Sequence, residues 1–170
     1  YVAEVMGDSI GDKFFEGCFE GDLIFCDMMS EPESGSDTRN LKTIARLEDG
    51  YYIINGKKMW QTNGPWSDFG ILTAVHDPVA YSQNPREGVM HLLIEKSISR
   101  WKVKDLPFVG LRSGTTGFFE FDNVKVPAEN HMKLDVSGYI KNLIVRGWAR
   151  VDIAAMGLGI MQAAIEDSVK

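Results

Sequence analysis

The fold is decided by residues 41–61, which read LKTIARLEDGYYIINGKKMWQ. Runs rich in β-branched and aromatic residues alternate here with the turn signals Glu48-Asp49-Gly50 and Asn55-Gly56. Such residues supply the positive φ that a tight hairpin turn requires. The stretch therefore predicts a three-stranded meander, with strands at residues 41–47, 51–54 and 57–61.

The same β-rich pattern continues on both sides of this meander. Further short runs cover residues 23–26, 69–76, 89–95 and 118–126, with a weaker candidate at 101–104. Residues 77–88, rich in Pro, Ser, Gln and Asn, predict a mobile loop. No helix alternates with these strands, and neither a G-x-G-x-x-G fingerprint nor a P-loop is present. The pattern predicts a β-barrel or sandwich rather than a parallel α/β sheet.

The C-terminal part of the chain has a different periodicity. From Ser137 onward, apolar residues recur at three- and four-residue steps, which predicts one long helix with a face packed on a core. The sequence opens at Tyr1 without an initiator Met and closes at Lys170 inside this helical pattern. We therefore expect a fragment of a longer protein.

Composition excludes several function classes. A net charge of −6 with no basic run argues against a nucleic-acid surface. No apolar run approaches the roughly 20 residues that cross a bilayer. Two cysteines are too few for a disulfide framework, so a cytoplasmic location is expected, or the mitochondrial matrix in a eukaryote. The three histidines, His76, His91 and His131, are dispersed, and no metal site is predicted.

Two polar segments carry the candidate chemistry. Ser30-Glu31-Pro32-Glu33-Ser34-Gly35-Ser36-Asp37 combines hydroxyls with a glycine, so its backbone N–H groups can approach an anion or a ring carbonyl. Lys58-Met59-Trp60-Gln61-Thr62-Asn63-Gly64 ends a predicted strand with an indole and a hydroxyl. Read alone, the first segment is more typical of a polar turn between strands than of a binding site, and the tryptophan is more typical of a core or interface residue.

Both segments resemble the signature motifs of a known protein family. The first resembles the Thr-Glu-Pro-x-x-Gly-Ser-Asp signature of the acyl-CoA dehydrogenases, and residues 55–64 resemble the second signature of that family. Gly110-Leu111-Arg112-Ser113-Gly114-Thr115-Thr116 and residues 121–130 are similar to the end of the family's central β domain. Ala149-Arg150 and Gly157-Leu158-Gly159-Ile160 resemble the first helix of its C-terminal domain.

The resemblance implies a mainly β fold with three parts. Residues 1–22 would be the tail of an N-terminal helical domain, and residues 23–134 a central antiparallel β-barrel that binds flavin and acyl-CoA. Residues 135–170 would be the first helix of a C-terminal helical bundle.

The resemblance also implies an FAD site. Ser30 would bond the pyrimidine edge of the isoalloxazine, Trp60 would pack against the ring, and Thr62 would donate to the N5 and O4 edge. Ser36 would lie where cofactor and acyl-CoA meet, and Met28 and Met29 would pack beneath the flavin or fill the core. The predicted cofactor-binding residues are Asp27, Met28, Met29, Ser30, Gly35, Ser36, Trp60, Gln61 and Thr62, and the predicted substrate-binding residues are Ser36, Trp148, Ala149 and Arg150.

Two members of this set depart from the family pattern. Asp27 stands where an aromatic or small residue is common, and Gln61 stands where isoleucine is common. Either change could tune the flavin or have no effect.

The implied reaction is α,β-dehydrogenation of an acyl-CoA thioester, in which a carboxylate takes the α-proton and the β-hydride passes to flavin N5. At one family position for the base this chain has Ala149, so the base is expected outside the fragment. A flavin oxidase, a monooxygenase or a flavin-free binding module on the same fold are alternatives. Electron-transfer flavoprotein as electron acceptor and assembly as a homotetramer or homodimer are further expectations from the resemblance.

Overall fold

A computed structural model of the chain describes residues 8–110, 114–132 and 136–170. Side-chain environments are described for residues 14–110, 114–132 and 147–170. Tyr1 to Gly7 of the predicted N-terminal remnant, and Leu111, Arg112 and Ser113 of the third motif, lie outside the described residues. Two compact units are present, residues 2–133 and residues 134–170.

The larger unit is built on one eight-stranded sheet with the order β6-β7-β3-β2-β4-β5-β8, and β1 pairs with β4 off this path. The mainly β prediction is confirmed. Within the described part of the chain the sheet is not closed, so the predicted barrel is an open sheet. Its strands are β1 Phe25–Met28, β2 Ile44–Glu48, β3 Tyr51–Thr62, β4 Phe69–Val75, β5 Val89–Glu95, β6 Lys102–Asp105, β7 Thr116–Pro127 and β8 His131–Met132.

Most strand pairs are antiparallel, but β4 pairs in parallel with β1 and with β2. The predicted antiparallel pairing is therefore confirmed for most of the sheet, and the two parallel pairings of β4 are the exceptions. Turn signals report only pairings between strands that follow each other, whereas β1 and β4 are separated by the whole β2–β3 hairpin.

The predicted meander is a hairpin with one long strand. The turn at Asp49-Gly50 is confirmed, with φ of 47° and 80° at its two residues. The predicted turn at Asn55-Gly56 was wrong, because β3 runs through it with a register shift between Ile54 and Gly56. The Asn55 amide bonds across to Asn123 of β7, and Gly56 (φ 151°) lies so close to β2 that a Cβ would meet the Thr43 Cα at 2.6 Å. Two residues of β7, Asp122 and Asn123, thus lie opposite Asn55, so the bulge is on β7 and Asn55 bonds to it.

The predicted loop at 77–88 contains helix α2, Pro78–Gln83. Asp77 caps it by accepting from the backbone N–H groups of Val79 and Ala80, and proline occupies its first turn. The buried Tyr81 hydroxyl donates to the Thr38 carbonyl at 2.6 Å and accepts from the Leu41 N–H at 2.9 Å. This segment is therefore tied to the sheet rather than free.

Three further helices complete the description. Helix α1 (Asp8–Glu20) precedes the sheet and α3 (Lys96–Ser99) joins β5 to β6. Helix α4 (Val136–Ser168) makes up the described part of the second unit, in good agreement with the periodicity that predicts it. In the described ranges, no helix is both long and apolar enough to span a bilayer.

The main core cluster of the larger unit is formed mostly by residues of the strands. Met28, Ile54, Leu72, Leu92 and Phe119 belong to its main cluster and are all fully buried. Burial of this kind is the principal stabilising term for such a sheet. It holds the end of β1 against the middle of β3, where the two polar segments meet.

Candidate functional site

The two polar segments predicted from the sequence lie side by side. The first follows β1, and the second is the C-terminal half of β3. The backbone N–H of Met59 donates to the carbonyl of Ser30 at 2.9 Å. The segment after β1 therefore lies alongside the C-terminal half of β3.

A buried ion pair joins the segments. Lys58 Nζ lies 2.8 Å from Glu31 Oε1 and donates to the Met29 carbonyl at 2.8 Å, with side chains 0% and 3% exposed. The Glu31 carboxylate also accepts from the backbone N–H groups of Lys42 (2.6 Å) and Thr43 (3.1 Å). Burial lowers the pKa of Lys58, and the adjacent Glu31 carboxylate opposes that shift.

Sequence reasoning missed this pair although both residues lie in the quoted motifs. The signal was available, because the two-residue period of β3 places Lys58 on the same face as the buried Ile54. Glu31 is committed to Lys58 and two backbone donors, so it is poorly suited to accept a proton from a substrate.

Gln61 forms a second buried connection. Its Nε2 donates to the carbonyls of Ser30 (2.7 Å) and Met59 (2.6 Å), and its Oε1 accepts from the Met29 N–H (3.3 Å). Both amide hydrogens are therefore used within the protein. The side chain bonds the backbone that carries other predicted ligands, and a direct contact of Gln61 with a cofactor stays a prediction.

Trp60 turns outward between these two buried side chains. The register of β3 against β7 shifts between Met59 and Gln61, and Trp60 itself has φ of 67°. A bulky residue in this region is uncommon and strained. Its indole is 58% exposed. Trp60 does not end the strand, as the sequence suggested, because β3 continues to Thr62.

Thr62, the last residue of β3, is exposed and pairs with Thr116 of β7. The next residue, Asn63, has φ of 63° and donates from its N–H to the Thr115 carbonyl at 3.0 Å. The Thr115 hydroxyl in turn donates to Asp105 at 2.7 Å. The end of the strand is therefore held by a defined set of contacts.

The Ser-Gly-Ser loop has a fixed base and an open tip. Glu31 and Ser34 exchange backbone hydrogen bonds of 2.8 and 3.1 Å, and the Ser34 hydroxyl donates to the Asp37 carbonyl at 2.7 Å. Gly35 and Ser36 are exposed, and no atom lies within 4 Å of where a Gly35 Cβ would be. Hydrogen bonds from Arg39 lower the pKa of the Asp37 carboxyl to about 2. The tip is accessible to a ligand.

The remaining predicted site residues differ in their accessibility. Met28 is 0% exposed and belongs to the main core cluster, so it fills the core, and its part in a cofactor site stays a prediction. Met29 and Ser30 are half-buried, and Asp27 is exposed. Trp148, Ala149 and Arg150 are exposed residues of α4 in the other unit, and their part in the same site stays a prediction.

Taken together, the larger unit offers a large exposed aromatic face beside half-buried and exposed polar groups. Trp60, Thr62 and Ser30 are carried by backbone that Lys58 and Gln61 hold in place. A planar aromatic ligand with hydrogen-bonding edges fits such an arrangement, because the indole can stack while hydroxyls and backbone N–H groups bind the edge.

Comparison with known proteins supports a single family. The profile of "Acyl-CoA dehydrogenase, middle domain" matches residues 26–124. Acyl-CoA dehydrogenase AFT10-1 of Alternaria alternata is 34% identical over 92% of this chain and 35% of its own length. Mitochondrial isovaleryl-CoA dehydrogenase of Arabidopsis thaliana is 33% identical over 92% of this chain and 37% of its own length. The chain thus spans little more than a third of these relatives.

Solved structures agree. An acyl-CoA dehydrogenase from Geobacillus kaustophilus superposes with a TM-score of 0.76 at 31% identity, covering 84% of this chain and 37% of that one. A glutaryl-CoA dehydrogenase from Mycobacterium smegmatis, solved in complex with FADH2, gives a TM-score of 0.68 at 26% identity over 79% and 33% of the two chains.

Proposed function

Since this chain belongs to the acyl-CoA dehydrogenase family, we propose that it contributes the flavin-holding half of an FAD-dependent active site that dehydrogenates an acyl-CoA thioester. The observation that carries the proposal is the outward-turned Trp60, whose strained backbone is flanked by buried side chains that bond the Ser30 segment. Strain of this kind persists where the surrounding structure enforces it, commonly at ligand sites.

Each residue has a distinct task in this proposal. The Trp60 indole packs on the ring system, Ser30 donates to its polar edge, and the Thr62 hydroxyl donates to the opposite edge. Gly35 and Ser36 bind the phosphates or the acyl-CoA with backbone N–H and hydroxyl groups at the open loop tip. Asp27 and Met29 contribute backbone along the same edge, and Met28 supports them from the core.

FAD, when bound, supplies a two-electron acceptor for the hydride that leaves the β-carbon of the acyl group. The chain's own residues bind and orient it. Thr62 places a donor where negative charge would accumulate, a contribution worth about 3 kcal/mol at preorganised sites. Glu31 is bonded to Lys58 and is not the base in this proposal. The carboxylate that takes the α-proton would lie outside this chain, as the family resemblance implies.

The proposal extends to substrate and partners. Ser36, with Trp148, Ala149 and Arg150 of α4, would contact the acyl-CoA. Electron-transfer flavoprotein would reoxidise the flavin, and the protein would assemble as a homotetramer or homodimer. These extensions rest on family membership.

The proposal is tested on the full protein that contains this chain. We expect a flavin absorption band near roughly 450 nm after purification, and anaerobic bleaching of that band by at least one member of a panel of acyl-CoA thioesters. A protein free of flavin, and unable to take up FAD, would refute an enzymatic role for this site. Bleaching by a reductant but by none of the acyl-CoA thioesters would count against dehydrogenation and leave the monooxygenase alternative, which needs a reductant.

A pair of variants at Thr62 sharpens the test. Thr62→Val removes the hydroxyl at nearly constant shape, whereas Thr62→Ser retains it. We expect Thr62→Val to slow bleaching by about 100-fold and to leave FAD retention close to that of the parent, with Thr62→Ser behaving like the parent. Equal bleaching rates in the two variants would remove Thr62 from the proposed site.

A further inference from the structure

We propose that Gln61 is a positioning residue for the cofactor: its buried amide sets the Ser30 segment and the outward-turned Trp60 in fixed relation to each other. The inference deepens the proposed function and rests on it.

The first argument is the set of bonds that the amide makes. Nε2 lies 2.7 Å from the Ser30 carbonyl and Oε1 lies 3.3 Å from the Met29 nitrogen. The side chain of Gln61 is 4% exposed, so these bonds form away from water. One side chain thus bonds two successive backbone groups of the segment that follows β1 and fixes its register on β3.

The second argument concerns Trp60 itself. The remaining amide hydrogen of Gln61 bonds the Met59 carbonyl at 2.6 Å, two residues back along the strand. This bond links the residues on either side of Trp60, so it closes a ring of covalent and hydrogen bonds that includes the Trp60 backbone. Trp60 has a φ of 67° at the point where the β3–β7 register shifts. A side chain that satisfies the Met59 carbonyl here stabilises a bulge that a tryptophan would otherwise adopt at a cost.

The third argument is chemical specificity. The site presents one N–H group and two carbonyls, and a primary amide is the side chain that offers two donors and an acceptor in one plane. An aliphatic side chain such as isoleucine leaves the Met29 N–H and the Met59 carbonyl without these partners, whereas the Ser30 carbonyl keeps its bond from Met59. Gln61 is therefore matched to this backbone arrangement.

The test compares three variants of the full apoprotein by titration with FAD, followed by quenching of flavin fluorescence. Gln61→Met keeps length without hydrogen bonding. Gln61→Glu keeps shape but, when ionised, turns an acceptor towards the Ser30 and Met59 carbonyls. Asn130→Leu is the control, because Asn130 is also a buried amide that bonds a backbone carbonyl, that of Leu93 at 2.9 Å, outside the proposed site.

We expect Gln61→Met to raise the Kd for FAD about tenfold and Asn130→Leu to change it less than about twofold, since unmade buried hydrogen bonds cost most where they place the ligand. Gln61→Glu should bind weakly at neutral pH and recover as acidification protonates the carboxyl into a donor. The near-UV circular dichroism of bound flavin should change in Gln61→Met and be restored in acidified Gln61→Glu.

Each result has a clear reading. A Kd for Gln61→Met within about twofold of the parent, or an equal loss in Asn130→Leu, would overturn the positioning role while leaving the proposed function intact. If Gln61→Met does not fold, a Gln61→Glu variant whose FAD affinity is independent of pH would overturn it. A parent protein that takes up no FAD would refute the proposed function itself, and this inference with it.

Discussion

Replacing Lys58 with methionine removes a charge from the middle of β3 and keeps the side chain's length. In the parent, Lys58 Nζ lies 2.8 Å from Glu31 Oε1 and 2.8 Å from the Met29 carbonyl, and its side chain is 0% exposed. The variant leaves a buried carboxylate with only the backbone donors of Lys42 and Thr43, and a carbonyl without its partner. Breaking a buried pair from one side costs about 3–5 kcal/mol.

That loss is a large share of the stability of an ordinary domain, which is roughly 5–15 kcal/mol. The adjacent residue provides the control. Lys57 Nζ lies 3.7 Å from Glu120 Oε1, with side chains 58% and 36% exposed. Lys57→Met changes the same residue type in the same strand, and we expect it to cost about 0–1 kcal/mol because the pair is solvated.

A double-mutant cycle separates the ion pair from loss of packing. Glu31→Gln alone leaves Lys58 buried without its anion and should cost about as much as Lys58→Met. The double variant buries no charge, so we expect it to be more stable than the sum of the single losses implies, by about 2 kcal/mol.

The assay is urea unfolding of the full apoprotein, followed by far-UV circular dichroism and extrapolated linearly to water. Apoprotein is used so that cofactor binding does not add to the measured stability. Two results would refute the reasoning: Lys58→Met within about 1 kcal/mol of Lys57→Met, or strict additivity of the two single variants. Either would mean that the pair does not join the segments.

Three further predictions concern the surrounding sheet. Gly56→Ala should destabilise the apoprotein by about 2–4 kcal/mol in urea unfolding, because its Cβ meets Thr43 and its φ is positive. Gly35→Ala, at an open position, should change the free energy of unfolding by less than about 0.5 kcal/mol. An equal loss of stability in the two variants would contradict the close approach of Gly56 to Thr43. Burial raises the pKa of the Cys26 thiol to about 12 from 9.0, so native protein at pH 8 should not be alkylated there, whereas the peptide should label once unfolded. Since the thiol ionises at lower pH in the unfolded chain, the free energy of unfolding should also fall as pH rises from 9.0 towards 12. Labelling of Cys26 in the native protein, or a free energy of unfolding that does not change over this pH range, would contradict its burial. Tyr81→Phe should cost about 1–3 kcal/mol in the same unfolding assay, because two backbone groups lose the phenolic oxygen, and an unchanged midpoint would show that α2 is not tied to the sheet.

Several features of the fold were predictable because they depend on neighbours in the chain. The Asp49-Gly50 hairpin follows from residue types that accept positive φ. The same rule failed at Asn55-Gly56, where the glycine serves close contact with Thr43 and the asparagine bonds Asn123. An Asn-Gly pair is typical of a hairpin turn, but here only Gly56 of the pair has a positive φ, and the pair lies inside a strand opposite a bulge of β7.

Segment 77–88 shows a second kind of failure. Its Pro, Ser and Asn content was read as a mobile loop, yet Asp77 and Pro78 are also a helix start. The contacts of Tyr81 with residues near position 40, and the backbone bonds from His76 and Asp77 to Gly88, show that the segment is held in place. A composition-based prediction has no access to such a contact.

By itself, the sequence determined the strand-rich class, the long C-terminal helix and the family to which the two polar segments belong. Hydrophobic periodicity, turn residues and motif spacing depend only on the order of residues along the chain. Tertiary structure alone decided the parallel pairing of β4 and the continuity of β3. It also decided the burial of Lys58 against Glu31 and the hydrogen bonds of the Gln61 amide to backbone. These depend on which distant strand supplies the partner, and buried polar groups take their roles from whatever donor or acceptor the fold brings within reach.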